Sequence, residues 1–335
     1  MAILGGNNPT LMDVARRTDG NGKIAKIVEM LSEQNAILDD MVFEMCNNGS
    51  SHKTTVRTGL PEAVWRRLYE GVPSSKSTTE QIMDSCGMLE TYSEIDKALV
   101  DMAPDKAAFL LSESSSFLER LNIEMADTLI YGNEKKDTAK FTGLAARYST
   151  LSADEKKIGF NVVDGGGSGT DNTSIYILNW GTQTMHGLYP RGSKAGISVD
   201  FRGQQTVRDA DNKKFEAYVT HYKWDMGFCL RDWRYGVRIA NIDVSDLASS
   251  GSSSYSGADL INLLITAFGK FPKADMGRRV IYCNRTVMTA LNLQAANRST
   301  LALKVDEVGG KPVTSFWGVP IRQVDAIKNN EAAVA

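Results

Sequence analysis

The chain has 335 residues, 42% of them hydrophobic and 23% charged, with a formal net charge of -2. That length can bury a sizeable core and hold two domains, or one domain with long excursions. The balanced charge excludes a protein that grips nucleic acid over its whole surface. No apolar run approaches the roughly 20 residues needed to span a bilayer, and the opening MAILGGNNPTLMDVARR lacks the basic start and apolar stretch of a signal peptide.

Thr10, with Asp13 three residues on, forms a capping-box pattern that opens a first helix. After the turn Asp19-Gly20-Asn21-Gly22 a longer amphipathic helix is expected, its stripe running from Ile24, Ile27, Val28 and Leu31 through Ile37 and Leu38 to Met41 and Val42. From about residue 50 the period changes to two: Lys53, Thr55 and Arg57 alternate with Thr54, Val56 and Thr58. A return strand fits at about 77–92. The intervening PEAVWRRLYEGVPSSK is too long for a tight hairpin turn. The whole reads as an extended two-stranded arm with an aromatic and basic tip. Such a ribbon is marginal alone and must lie against something else.

Residues 104–132 give the clearest helix. Pro104 suits its first turn, Asp105 its positive end, and Gly132 its stop. Leu110, Phe117, Leu118, Leu121, Met125 and Leu129 form one apolar stripe. Such a helix is a rod of roughly 42 Å.

Beyond it, strands and helices alternate. Strands are expected at 173–180 and 216–224, a helix at 257–268, and a strand at 278–284 leading through Asn284 as cap into the helix TVMTALNLQAA. At the end, LALKVDEV and FWGVPIRQVDAI read as strands joined by the GGKP turn at 309–312. The Ser-rich 249–257 reads as a flexible loop.

Chemistry is sparse. The glycine cluster DGGGSGTDN (164–172) lacks a phosphate loop's Lys-Ser/Thr and the GxGxxG spacing, and is expected to be a solvent loop before a strand. His52, His186 and His221 sit in no HxH, HxxxH or HExxH pattern, so each is expected to be a surface or hydrogen-bonded histidine, with no metal site and no cofactor. Cys46, Cys86, Cys229 and Cys283 are scattered without a CxxC pair and read as reduced, buried small hydrophobes of a cytoplasmic protein. Ser168 fails the GxSxG elbow at its last position, and no catalytic residue is assigned. In CLRDWRYGVRIAN (229–241), Arg231, Arg234 and Arg238 with Trp233 and Tyr235 could stack on bases. The alternative is a strand or subunit contact whose arginines satisfy acids such as Asp225 and Asp232. Arg57, Trp65, Arg66, Arg67, Tyr69 and Lys76 of the extended arm are the candidate intersubunit contacts, being mainly the residue types that anchor interfaces.

Taken in order, these elements resemble the major capsid proteins of tailed bacteriophages. The helix 105–131 ending in YGN (131–133) and followed by FTGL (141–144) resembles that family's spine helix and its exit. VIYCNRTVMTALNLQ (280–294) resembles its axial strand and helix, and FWGVPIRQVDAI (316–327) its closing GxPV strand, with Ile321 in place of Val. NNPTLMDVA, DVARR and LRDWRYGVRIANI look like a podovirus-type branch.

The resemblance implies an α+β, HK-ninety-seven-like fold: an N-terminal arm (1–48), an E-loop (49–95), a P domain with the spine helix (96–148), an axial A domain (149–304) and returning P-domain strands (305–335). It implies a shell of hexamers and pentamers around double-stranded DNA, interlocked non-covalently and assembled in the bacterial cytoplasm. Expected partners are a portal, a separate scaffolding protein, since the arm starts close to Met1, and a cement protein, with no membrane. Rival readings are an encapsulin-type nanocompartment shell, a hydrolase with an unassigned mixed α/β domain, and a nucleic-acid-binding protein acting through 229–241.

Overall fold

The computed structural model describes residues 35–209, 211–248, 258–272, 276–297, 303–308 and 311–335. The first expected helix and most of the second, together with the Ser-rich 249–257, lie outside them.

A short helix α1 (Ala36–Asp40) leads into strand β1 (Phe43–Met45). The expected stripe therefore stops short: the helix ends at Asp40, and Met41 turns extended with φ -70° and ψ 132°. A ribbon of β2 (Ser51–Gly59) and β3 (Thr78–Asp96) follows, then α2 (Lys97–Met102), the long helix α3 (Lys106–Tyr131) and α4 (Leu144–Arg147). The chain continues through β4 (Val162–Asp164), β5 (Asn172–Trp180), β6 (Met185–Tyr189), β7 (Ser198–Arg208), β8 (Lys214–Leu230) and β9 (Gly236–Asp243). It closes with α5 (Val244–Ala248), α6 (Leu260–Gly269), β10 (Arg278–Cys283), α7 (Arg285–Asn297), β11 (Leu303–Val308), β12 (Lys311–Phe316) and β13 (Val319–Gln323). Among the described residues no helix is long and apolar enough to cross a membrane.

The strands join in the order β11-β12-β13-β10-β5-β6-β8-β3-β2, with β1 on β6, β7 on β8, and β9 between β4 and β5. The centre explains the run TSIYILNW. Every residue of β5 is buried, and its side chains alternate between two cores. Tyr176, Leu178 and Trp180 face Leu121, Met125 and Leu129 of α3, while Ile175 and Ile177 face Leu264 of α6 and Leu291 of α7. A strand covered on both faces needs apolar residues at both parities.

The long helix forms where the stripe places it. The Asp105 carboxylate caps it by accepting from the Ala108 N–H at 3.1 Å, and Asn284 does the same for α7 through the Val287 N–H at 2.9 Å. Gly132 ends the long helix for a reason other than a left-handed turn, since its φ is -53°. A Cβ there would meet the carbonyl oxygens of Thr128 and Phe141 at 2.4 Å, so the returning chain crosses too closely for any side chain.

The terminal hairpin falls where GGKP predicts it, with β11 and β12 antiparallel on either side of 309–310, and a second turn that was not expected follows. Lys311 and Pro312 of GGKP are already in β12, paired with Val308 and Glu307 of β11. The turn into β13 is made by Trp317 and Gly318, both at positive φ (50° and 77°), as a two-residue hairpin connection requires.

Candidate functional site

The long strand β3 divides its partners. Thr78 to Ser85 pair with β2, and Cys86 to Asp96 pair with β8. One strand thus runs out of the central sheet into a two-stranded arm. Its register is in step from Ser51↔Ser85 to Arg57↔Thr79 and then shifts before Gly59↔Thr78. Beyond that bulge the chain makes an open excursion over 60–77, tied across its base by the Ser75 hydroxyl donating to the Glu62 carbonyl at 2.9 Å. At its far end a turn closes with the Glu70 N–H on the Arg67 carbonyl at 3.2 Å, and Tyr69 sits at φ 69°.

The six predicted contact residues all fall on this arm. Arg57 lies on β2 opposite Thr79, Lys76 just before β3, and Trp65, Arg66, Arg67 and Tyr69 on the excursion. All are exposed, Trp65 at 99% and Tyr69 at 102%. Leu60 and Leu68, at 81% and 85%, add apolar surface beside them. Among the described residues none of the six makes an ion pair. Among the described residues this surface has no partner in the rest of its own chain, and large exposed apolar surface of this kind is what interaction sites are made of.

A second surface had not been expected. Among the described strands, β7 pairs with β8 alone, from Ser198↔Lys223 to Arg208↔Lys214, with a bulge at Gly203 where φ is 71°. It is an edge strand exposed on both faces, presenting Val199 and Phe201 beside Ile197. The alternation of Val199 and Phe201 with Asp200 and Arg202 was the available signal, and the polar run after them hid it.

The body beneath is held by buried polar networks. Arg238 of β9, 4% exposed, donates to Glu331 Oε2 at 2.9 Å, to the Tyr148 carbonyl at 2.8 Å and to Ser174 Oγ at 3.1 Å. Tyr131 donates to Glu331 Oε1 at 2.5 Å, and Ser174 also donates to that carboxylate. Burial works against the charge of Arg238, yet Tyr176 and Glu331 beside it hold its pKa above the ordinary guanidinium value. Asp40 at the end of α1 accepts from Tyr282 at 2.9 Å and pairs with Arg278 at 3.2 Å and Arg322 at 3.1 Å.

These contacts decide the reading of 229–241. Arg238 and Tyr235 are buried, Arg234 pairs with Asp232 at 2.7 Å, and Arg231 donates to the Thr182 carbonyl at 3.1 Å. Asp225 takes Lys223 at 3.2 Å and Ser193 at 2.9 Å rather than an arginine. The segment is structural, and its principal acid, Glu331, comes from the far end of the chain. The 164–172 glycines lie in a loop before β5, as expected, with Gly166 and Gly169 exposed and Gly165 and Gly167 half-buried against β9.

One histidine fits expectation and two depart from it. His221 is hydrogen-bonded to Glu90 at 3.0 Å and stacked on Tyr92. His52 and His186 are instead buried together, ring centroids 5.7 Å apart and edge to face. Cys229 lies with them, its thiol pushed up to about 12 by burial. Each strand carries its residue singly, so no local spacing could have revealed the group.

Residues 19–335 match the family model of major capsid protein GP7. The chain belongs to that family. Its fold matches the capsid structure of bacteriophage Epsilon15 with a TM-score of 0.81 and 38% identity over 100% of this chain and 99% of the other. The capsid of bacteriophage JBD30 aligns at a TM-score of 0.49 and 10% identity, covering 89% and 93%, and a structure from Mycobacterium phage Bobi at 0.42 and 12%, covering 69% and 97%. No curated protein matches at a significant level. The GP7-family chain has the HK-ninety-seven-like fold, is the major capsid protein of a bacteriophage, and builds the virion shell from many copies of itself. The family is that of a structural phage protein, which decides against the nanocompartment shell.

Proposed function

We propose that this capsid protein forms hexamers and pentamers of an icosahedral head around double-stranded DNA, and that its arm is the principal interlocking element. The carrying observation is the full exposure of Trp65 and Tyr69 on a projecting excursion whose side chains touch no core. Side chains of this kind are worth roughly 2 kcal/mol or more each when buried at the centre of an interface. Repetition around a closed shell multiplies that into a very stable assembly.

In this reading Arg57, Trp65, Arg66, Arg67, Tyr69 and Lys76 meet neighbouring subunits without a covalent bond. Residues 1–48 act as the N-terminal arm, 49–95 as the E-loop, 96–148 as the P domain, 149–304 as the A domain and 305–335 as the returning strands. The protein has no catalytic role of its own, assembles in the host cytoplasm on a separate scaffolding protein, and joins a portal at one vertex. The test is to replace 59–74 by a short Gly-Ser turn and co-express the variant with its scaffold. A folded subunit that no longer forms shells is expected. Normal particles, or a subunit that fails to fold, would overturn the proposal.

A further inference from the structure

Three side chains scattered in the sequence converge at the root of the arm. His52 stands on β2, and His186 and Cys229 face each other directly across β6 and β8. One nitrogen from each imidazole and the Cys229 sulfur all lie within 4.8 Å of one another. His52 is 9% exposed and the other two not at all.

The two rings are poorly served by the protein. His52 Nδ1 and both ring nitrogens of His186 are buried without a well-aligned hydrogen bond, the Gly181 backbone being the main-chain group that bears on the His186 ring. The Glu44 carboxylate lies 3.0 Å from His186 Nε2, close enough for an ion pair but out of hydrogen-bond alignment. The edge-to-face packing of the rings gives neither one a donor or an acceptor. Around Cys229 pack Cys46, Leu188 and Cys86, which offer imidazoles little, and Thr54 Oγ1 lies 3.6 Å from its sulfur. Buried polar atoms are almost always satisfied, and a cluster of orphans at one point signals a missing partner such as an ion.

We propose that His52, His186 and Cys229 form a zinc site. Two imidazoles and a thiolate are the donor types zinc selects, and they are poor ligands for calcium or magnesium, which take oxygen. In a tetrahedral site with Zn–N near 2.0 Å and Zn–S near 2.3 Å, two nitrogens and a sulfur stand about 3.3–3.5 Å apart. The three atoms here lie within 4.8 Å of one another, so binding would draw them closer. On binding, the Cys229 thiol gives its proton to solvent, and the imidazoles bind in their neutral form. Water completes the fourth position, and Glu44 steadies the His186 ring as an outer partner. The ion ties β2 to β6 and β8, so it fixes the root of the arm to the central sheet.

The test uses assembled shells and unassembled subunit, stripped with a chelator, dialysed and exposed to zinc chloride or cobalt chloride. A single zinc per chain by elemental mass spectrometry is expected. So are a thiolate-to-cobalt charge-transfer band and a higher unfolding temperature with zinc than with chelator. Cys229→Ser should abolish the charge-transfer band, and His52→Gln should weaken zinc binding by more than about tenfold. His221→Gln, on a histidine outside the cluster, should change neither. His52→Gln keeps the test informative if Cys229→Ser does not fold. Wild-type protein that takes up no stoichiometric zinc and shows no cobalt–thiolate band would overturn the proposal. So would zinc uptake that is equal in wild type and both cluster variants.

Discussion

The arm at 60–77 and the tail after β13 are both irregular backbone, yet they stand in opposite relation to the body. The tail is fastened residue by residue: Val324 and Ile327 are buried, and the Glu331 N–H and carbonyl exchange hydrogen bonds with Asn172. Asn241 both donates to the Val334 carbonyl at 2.9 Å and accepts its N–H at 2.7 Å, and the Leu151 N–H donates to the Ala335 carbonyl at 3.1 Å. The arm has a turn and a base tie of its own, and its largest side chains stand in the open. Polar side chains reaching out from the sheet let an irregular segment belong to one subunit. Where, among the described residues, none reaches out, the segment stands exposed.

The comparison breaks first at Glu331. Glu331→Ala strips the buried Arg238 of its carboxylate, and removing one partner of such a pair costs about 3–5 kcal/mol. Urea unfolding of the unassembled subunit should show that loss, and an unchanged midpoint would mean that the tail is not fastened through this pair. Next comes Leu129→Ala, on a residue with no exposure where the long helix meets the sheet. The cavity should cost about 2–5 kcal/mol in the same assay.

A smaller effect comes from the half-exposed flank of that helix. Lys140, hydrogen-bonded to Glu124 at 2.8 Å, holds the Glu124 carboxyl below its usual 4.5 against the opposing pull of burial. The folded-state value being the lower one, this contribution is present above pH 4.5 and fades as the pH falls through the folded value. Glu124→Gln should therefore cost less than about 1 kcal/mol at neutral pH, given the screening at such a site. The cost should vanish in acid. Unfolding measured at both pH values checks the sign.

Much of this was legible where the signal is local. The 104–132 stripe with Asp105 before it gave the long helix, and the change to period two at residue 50 gave the arm, because a periodic face and a cap are written in neighbouring residues. GGKP marked the hairpin of β11 and β12, but the second turn into β13 was missed because it uses Trp317, a residue type rarely found at positive φ. Strand β7 was not legible because, on an edge exposed on both faces, the alternation of Val199 and Phe201 is not sustained through the polar residues that follow. The pairing of Arg238 with Glu331 and the grouping of His52, His186 and Cys229 depend on which strands the sheet makes neighbours, and no window of sequence contains that.

The exposed aromatics Trp65 and Tyr69 set the arm apart from the rest of the subunit. The double substitution Trp65→Ala and Tyr69→Ala separates the two regions most directly when one preparation is assayed twice, by thermal unfolding of the free subunit and by sedimentation after assembly with the scaffold. The account predicts an unfolding temperature indistinguishable from wild type together with loss of closed shells. A lowered unfolding temperature with intact shells would contradict it, because it would place these side chains in the subunit's own core rather than between subunits.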